Sequence, residues 1–160
     1  MQYLQLNELK DKLKTHPRCP LEIVGVPCNQ FGLQEPGESE VEILNGLKYV
    51  RPGKGYTPNF PLTQKLKVNG KDQDILFTFL KNRCPVPDGY IDDIKSIMWS
   101  PIRNDDVSWN FEKVLIDHKG QPYRRYSSPV LPQDIATDIE HLQTQCKLFD
   151  KYLIEEYPLY

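Results

Sequence analysis

The sequence lacks long apolar runs, a strong net charge and a recognisable leader. None of its apolar runs approaches the roughly 18 consecutive apolar residues that a membrane-spanning helix requires. Its 20 Lys and Arg residues nearly balance 22 Asp and Glu residues, and a formal charge of -2 creates no long-range field for nucleic acid or an anionic membrane. The segment from Met1 to Leu6 has neither the basic start nor the continuous apolar stretch of a secretory signal. We therefore expect a soluble protein with no nucleic-acid partner and no membrane span.

Cysteine is also scarce. The four cysteines are Cys19, Cys28, Cys84 and Cys146. They are too few and too far apart for the framework of a small disulfide scaffold, so they leave the compartment open. No Cys-x-x-Cys pair occurs, and the histidines lie far from the cysteines in sequence, which argues against a zinc site. With 39% hydrophobic and 26% charged residues in 160, the composition predicts one globular domain with a sizeable core and no metal.

Four segments carry apolar residues at helical spacing. They are Tyr3 to Leu13, the stretch from Val41 to Leu47, Asp74 to Lys81, and the stretch from Ile135 to Leu142 that follows Pro132. The first helix should end at His16 and Pro17, because the residue before a proline is pushed out of the helical region. Ser39 followed three residues later by Glu42 is the pattern of a capping box and predicts where the second helix begins.

Two regions read as β-structure. The run from Leu21 to Val26 is rich in β-branched residues and predicts a buried parallel strand. Alternation of apolar and polar residues from Val107 to Leu115, followed by Tyr123 to Ser127, predicts a β-hairpin. Helices and strands in this order indicate an α/β protein with a mixed sheet flanked by helices, although the buried strand lacks a neighbouring first strand.

Several motifs closely resemble the signature of the glutathione peroxidases. They are Val24 to Gly32, Gln34 to Gly37, Leu47 to Gly53, Trp99 to Pro101, Ser108 to Lys113 and Gly120 to Ser127. The resemblance extends from about Gln2 to about Gln145. It implies a thioredoxin-like fold whose first core strand is missing from this chain. It also implies an oxidoreductase that reduces hydrogen peroxide and organic hydroperoxides with glutathione and so defends against oxidative stress.

The resemblance also implies a set of catalytic residues. In the family, a selenocysteine or cysteine anion at a helix start attacks the peroxide, and a glutamine, a tryptophan and an asparagine stabilise the anion. Gln30, Trp109 and Asn110 match those three residues, and their N–H groups can donate hydrogen bonds without carrying charge. We expect their side chains to converge around one notch. Taken alone, Gln30 would read as a loop residue and Trp109 as a core side chain.

Three arginines are candidates for glutathione binding. Arg51, Arg124 and Arg125 match positions at which similar enzymes bind the carboxylates of glutathione, and guanidinium groups suit carboxylates. Adjacent strand residues point to opposite faces, so at most one of Arg124 and Arg125 should face a given ligand. Cys28 lies closest to the signature, but a cysteine beside a buried strand is usually a small hydrophobic residue, and we do not interpret it as catalytic.

The matched nucleophile position falls before Met1, because in the family the helix that carries it leads directly into the segment matched by Tyr3 to Leu13. Two hypotheses follow. The chain is either a shortened form of a working peroxidase or a non-catalytic thioredoxin-fold subunit, an inactive truncated product. On either hypothesis we expect the chain alone to show negligible peroxidase activity. No cofactor is expected beyond glutathione as co-substrate, with selenocysteine only in a full-length form.

The remaining expectations concern assembly and boundaries. Lys48 to Pro61 and Cys84 to Asp106 resemble the loops through which tetrameric members pack, which favours a homotetramer, although plain surface loops are the simpler alternative. Residues 1–146 form the family domain, and residues 147–160 form a tail that matches no family pattern. Localisation stays open between extracellular and cytoplasmic. Cys84 before Pro85 and the run from Gln34 to Gly37 are more like the secreted members, whereas Arg124 to Ser127 is more like the cytosolic ones, which leaves a slight lean to extracellular.

Overall fold

The structure is a computed structural model and describes residues 1–14, 19–87 and 94–156, with side chains up to residue 149. The α-helices are α1 (Gln2–Leu13), α2 (Glu40–Asn45), α3 (Ile75–Arg83) and α4 (Ala136–Glu156), and the strands are β1 (Lys113–Ile116) and β2 (Pro122–Tyr126). A π-helical turn, Gly46–Val50, continues α2, and 3₁₀ turns occupy Ile94–Ser96 and Pro132–Ile135. The helix stop predicted at His16 and Pro17 lies outside the described residues.

The predicted helices form close to the expected places, because their caps are local. Ser39 Oγ accepts a hydrogen bond from the Glu42 backbone N–H (3.3 Å) and Glu42 Oε2 accepts one from the Ser39 N–H (3.1 Å), which confirms the capping box. At α3, Asp74 Oδ1 accepts from the Leu76 N–H at 2.9 Å, so Asp74 is the N-cap rather than the first helical residue. The π-turn after α2 delivers Arg51 at its end.

The hairpin forms, but its first strand is shorter than predicted. β1 pairs antiparallel with β2, with Lys113 opposite Tyr126 and Leu115 opposite Arg124. The stretch from Val107 to Glu112 is not a strand, contrary to the alternation in the sequence. Phe111 has a φ of 61°, in the left-handed region, which turns the chain sharply just before β1. The alternation of apolar and polar residues from Val107 to Glu112 therefore occurs in a turn, where it does not indicate strand pairing.

The predicted strand from Leu21 to Val26 was wrong, because the only pairing that the described residues show for this segment is an isolated parallel bridge between Gly25 and Leu62. The Gly25 N–H donates to Pro61 O and Gly25 O accepts from the Thr63 N–H, both at 2.9 Å. A Cβ on Gly25 would lie 2.4 Å from Leu62 Cδ2, so a larger residue here would force the Leu62 side chain to shift. The segment has a partner on one side only among the described residues, and Val24 is 59% exposed.

Among the described residues, buried side chains form three core clusters. The first joins α1 to β2 and α4 through Leu9, Leu13, Tyr126, Ile135 and Ile139; the second contains Phe31, Val68, Phe77 and Val107; the third contains Ile43, Leu47 and Tyr56. Among the described residues, no helix is long and apolar enough to cross a membrane. The second cluster matters most for function, because it holds the two family motifs against each other.

A disulfide between Cys19 and Cys146 ties α4 to the chain beyond α1. The two cysteines are separated by 127 residues, and no local pattern in the sequence pointed to their pairing. Gln143 reinforces the tie, because its Nε2 donates to Leu13 O (3.0 Å) and Cys19 O (2.9 Å). α4 continues without a break to Glu156, past the predicted domain boundary at residue 146, which stays a prediction. The last residues of the tail, 157–160, lie outside the described part.

Candidate active site

A cavity of about 1210 Å³ lies among the described residues and is large enough to hold a ligand or another segment of chain. Its lining includes the stretch from residue 19 to residue 28, the stretch from 109 to 118, and side chains from all four α-helices. Most of the lining is apolar. The polar lining near the two family motifs comes from Cys28, Gln34, Glu35, Trp109 and Asn110. The cavity therefore suits a largely apolar occupant with a few directed hydrogen bonds.

Gln30 lies buried beneath this polar region and is held by its side-chain amide. Gln30 Oε1 accepts from the backbone N–H groups of Val68 (2.7 Å) and Asn69 (3.0 Å), and Gln30 Nε2 donates to Asn69 O at 3.0 Å. The Cys28 thiol lies above it, 3.6 Å from Gln30 Oε1. An amide nitrogen carries two hydrogens, and the bond to Asn69 uses one of them. The side chain is thus fixed in position while one N–H is left to donate.

Trp109 and Asn110 both lie in the cavity wall. The Trp109 ring packs against Phe31, with 5.8 Å between centroids, and its indole N–H has no acceptor among the described residues. Asn110 Nδ2 donates to Gln34 Oε1 at 3.0 Å. The structure therefore brings the motif around Gln30 and the motif around Trp109 together. Gln30 itself lies behind the wall, and the convergence of all three donors on a nucleophile stays a prediction.

The free thiols are poor nucleophiles. Burial raises the pKa of the Cys28 thiol, against the smaller opposing effect of backbone hydrogen bonds from Gln30 and Val68. Burial likewise raises the pKa of the Cys84 thiol. Both groups are protonated at neutral pH, and a thiol attacks peroxide only as the thiolate. This agrees with the interpretation of Cys28 as a half-buried structural residue.

The three arginines have different surroundings. Arg125 is buried, and its guanidinium binds Glu112 Oε1 through Nε (2.7 Å) and Nη2 and also donates from Nη1 to Asp105 O at 3.0 Å. Arg124 points to the other face, where it is exposed and ion-paired with Asp138 at 3.2 Å. Arg51 is exposed and lines the cavity. Arg51 and Arg124 are thus accessible to a carboxylate ligand, whereas the donors of Arg125 are engaged within the protein.

A buried polar network behind Gln30 was missed by the sequence reasoning. Lys81 Nζ donates to Asn69 Oδ1 (2.7 Å) and pairs with Asp106 Oδ1 (3.0 Å), and the Trp99 indole N–H donates to Asp106 Oδ2 at 2.7 Å. The side chains of Lys81 and Asp106 are 2% and 0% exposed. One signal could have found it: Lys81 is four residues after Phe77, on the buried face of α3, where a lysine needs a partner.

Two titratable groups in the cavity wall have strongly shifted pKa values. Burial lowers the pKa of Lys113 to about 8, although Glu112 and Asp134 act in the opposite direction. Its ammonium donates to the backbone carbonyls of Ser128 (3.2 Å) and Val130. Burial also raises the pKa of Tyr3 to about 12, with a smaller contribution from Glu35. Both shifts show that this wall is poorly solvated, which strengthens any hydrogen bond made there.

Comparison with known proteins places these features in context. The family model for glutathione peroxidase matches residues 1–81. Glutathione peroxidase 2 of Mus musculus is 51% identical over 146 residues, which cover 88% of this chain and 73% of the relative. Glutathione peroxidase 1 of Mus musculus is 49% identical over 147 residues, which cover 89% of this chain and 71% of the relative. The crystal structure of Trgpx in apo form aligns with a TM-score of 0.59 at 26% identity, covering 90% of this chain and 71% of that one.

Proposed function

Because the chain belongs to the glutathione peroxidase family and has its thioredoxin-like fold, we propose that the full-length protein reduces hydrogen peroxide and organic hydroperoxides at the cavity described above. The chain is accordingly a peroxidase of the oxidoreductase class, with glutathione as co-substrate. The observation that carries the assignment to the cavity is the packing of Phe31 against Trp109, which joins the two family motifs at its wall.

The reaction needs an anionic nucleophile next to these donors. In this proposal a selenolate or thiolate at the family's nucleophile position attacks one peroxide oxygen and breaks the O–O bond; the other oxygen leaves and takes a proton as water or an alcohol. A first glutathione thiol releases water from the oxidised nucleophile and forms a mixed bond with it. A second glutathione displaces the nucleophile and leaves as glutathione disulfide. Atoms and electrons balance with two glutathiones for each peroxide.

Gln30, Trp109 and Asn110 stabilise that anion in this proposal. Their N–H groups are neutral donors, so they lower the pKa of the nucleophile without neutralising its charge. The engaged state of Gln30 supports the role, because an amide that is already oriented loses little entropy on donating again. The indole N–H of Trp109, which has no acceptor among the described residues, is available for the same purpose.

The accessible arginines, Arg51 and Arg124, are the candidates for glutathione binding in this proposal. We propose that Arg51 and Arg124 bind its carboxylates, since both guanidinium groups are exposed. Arg125 was predicted for the same role, but its contacts with Glu112 and Asp105 favour a structural one. The homotetramer proposed from the loops at Lys48 to Pro61 and Cys84 to Asp106 rests on the resemblance alone, with residues 88–93 outside the described part. The molar mass from light scattering checks it.

The test is peroxide turnover by the full-length protein in a glutathione-coupled assay. Trp109→Phe keeps the ring and removes the N–H, and we expect kcat/KM for peroxide to fall about a hundredfold, as for the loss of one donor to a developing anion. Arg124→Ala should raise KM for glutathione, whereas Arg83→Ala, which removes an exposed arginine from α3, should leave it unchanged. A full-length protein that carries the nucleophile and still shows no turnover would favour the non-catalytic subunit instead.

A further inference from the structure

Asn69 connects the two catalytic motifs through a pair of matched hydrogen-bond rings. Its backbone N–H donates to Gln30 Oε1 and its backbone O accepts from Gln30 Nε2, both at 3.0 Å. Its side chain makes the same pattern with a second backbone, because Oδ1 accepts from the Val107 N–H and Nδ2 donates to Val107 O, both at 2.9 Å. The residue therefore spans the gap between Gln30 and the chain two residues before Trp109.

Lys81 and Asp106 hold this bridge in place. Lys81 Nζ donates to Asn69 Oδ1 at 2.7 Å, so the side-chain amide can take only one of its two flipped orientations. Asp106 pairs with the same ammonium and also accepts from the Arg103 backbone N–H at 2.8 Å. Asp106 immediately precedes Val107. The Lys81–Asp106 ion pair therefore anchors the same segment that the Asn69 side chain contacts. The side-chain oxygen of Asn69 thus accepts from both Lys81 and Val107, and its nitrogen donates to Val107 O.

A buried ion pair of this kind is a poor way to gain stability. Removing two charges from water costs about as much as their attraction returns, and apolar side chains of similar volume often stabilise a core better. What the network does provide is a fixed distance between two segments that are 38 residues or more apart in sequence. Fixing distances is what a set of donors aimed at one anion requires.

From this geometry we propose that Asn69 is a positioning residue of the peroxidase centre, which fixes Gln30 relative to Trp109 and Asn110 with the help of Lys81. The inference rests on the proposed function of those three donors. Asn69 touches neither peroxide nor glutathione. Removing its side chain breaks the contacts of Asn69 with Val107 and Lys81. Gln30 is then tied to a backbone segment that has lost its own anchor, and the segment from Val107 to Asn110 is released from its register. The donors then no longer meet at one point.

The experiment compares Asn69→Ala with Leu13→Ala in the full-length protein. Leu13 is buried in the first core cluster, outside the cavity lining, so its variant controls for lost stability. At temperatures where both variants are fully folded, we expect Asn69→Ala to lower kcat/KM for hydrogen peroxide about ten- to a hundredfold, as a small misplacement of catalytic groups does. The Leu13→Ala value should stay within about twofold of the parent, because Leu13 lies in a different core cluster from the one that contacts Trp109.

Two further readouts separate positioning from simple loosening of the fold. The pH profile of nucleophile alkylation should shift upward in Asn69→Ala, because displaced donors no longer lower its pKa, and should not shift in Leu13→Ala. Alkylation of the Cys28 thiol, followed by peptide mass spectrometry, should accelerate only in Asn69→Ala, since Cys28 contacts the Gln30 amide. If Asn69→Ala does not fold, Asn69→Asp takes its place in the same measurements. This variant keeps the side-chain shape and the hydrogen bonds that Oδ1 accepts from Lys81 and Val107, but it removes the N–H that donates to Val107 O.

Equal losses of activity in Asn69→Ala and Leu13→Ala, with neither pH profile shifted, would overturn the proposal. An unchanged rate of Cys28 alkylation in Asn69→Ala would overturn it too. A parent protein that has no peroxide turnover but whose Cys28 alkylation responds to Asn69→Ala would mean instead that the bridge holds Gln30 as described and that the proposed catalytic function fails.

Discussion

At the scale of single residues, Lys113 shows how the cavity wall acts on a charge. Its ammonium is directed at the carbonyls of Ser128 and Val130 on the chain that follows β2. Partial burial nevertheless lowers its pKa to about 8 from 10.5, so the loss of solvation outweighs the nearby carboxylates. The folded protein therefore binds this proton less tightly than the unfolded chain does.

The pH dependence of stability follows from that shift. Between about pH 8 and pH 10.5 the unfolded chain holds the proton and the folded protein does not, so the contribution of Lys113 to the free energy of unfolding rises with pH. Urea unfolding of the full-length protein at several pH values should show the parent gaining stability across this window relative to Lys113→Met. Lys12→Met, at an exposed lysine of α1, should follow the parent. Parallel curves for the parent and Lys113→Met would contradict the shift.

At the scale of elements, α3 shows how one short helix serves both the core and the site. Phe77 and Leu80 pack into the core, and Lys81 on the same face holds Asn69 and Asp106. The helix has only nine residues, a length at which helices are marginal without tertiary contacts and caps. Its N-cap, Asp74, is therefore important for placing Lys81.

Asp74→Ala tests the cap. The change removes the acceptor of the Leu76 N–H, and we expect it to lower the free energy of unfolding by about 1 kcal/mol. Asp74→Asn should lose much less, because asparagine caps a helix about as well as aspartate. Urea denaturation of both variants beside the parent measures the difference. Equal losses in the two variants would show that the charge of Asp74, rather than its cap geometry, matters.

At the scale of the whole molecule, the dominant feature is the cavity between elements that have pairing partners on one side only. Within the described residues β1 pairs with β2 alone, and the segment around Gly25 makes one parallel bridge. Both line the cavity, and the family resemblance implies that a central strand lies between them. The Cys19–Cys146 disulfide opposes unfolding by closing a loop of more than a hundred residues, but it supplies no partner for these edges.

We therefore expect the 160-residue chain alone to aggregate or stay partly unfolded. Each unpaired buried N–H or C=O costs about 1–3 kcal/mol, and several of them are a large share of a total stability of about 5–15 kcal/mol. A protein that includes an upstream strand and the nucleophile segment should melt cooperatively. Calorimetry and gel filtration of both forms measure this. A sharp melt of the chain alone at the same temperature would refute the expectation.

Sequence reasoning was most successful where structure depends on neighbouring residues. The capping box at Ser39 follows from hydrogen bonds within one turn, and the sequence predicted it. The start of α3 was predicted at Asp74, one residue early, because Asp74 is its N-cap. The family and its fold were recognised from motifs, and the comparisons confirm both. Alternation failed as a guide from Val107 to Glu112, because a strand is stabilised by its partner and this segment has none among the described residues.

The sequence by itself determined the helices, the hairpin and the family, since caps, turns and motifs act over a few residues. Only the tertiary structure decided that Arg125 binds Glu112, that Cys19 pairs with Cys146, and that Asn69 joins Gln30 to Val107. Each of these contacts joins side chains or backbones that are far apart along the chain or on different segments. Their geometry depends on how the elements pack against one another. The local sequence does not determine the distance between two such segments in the folded protein.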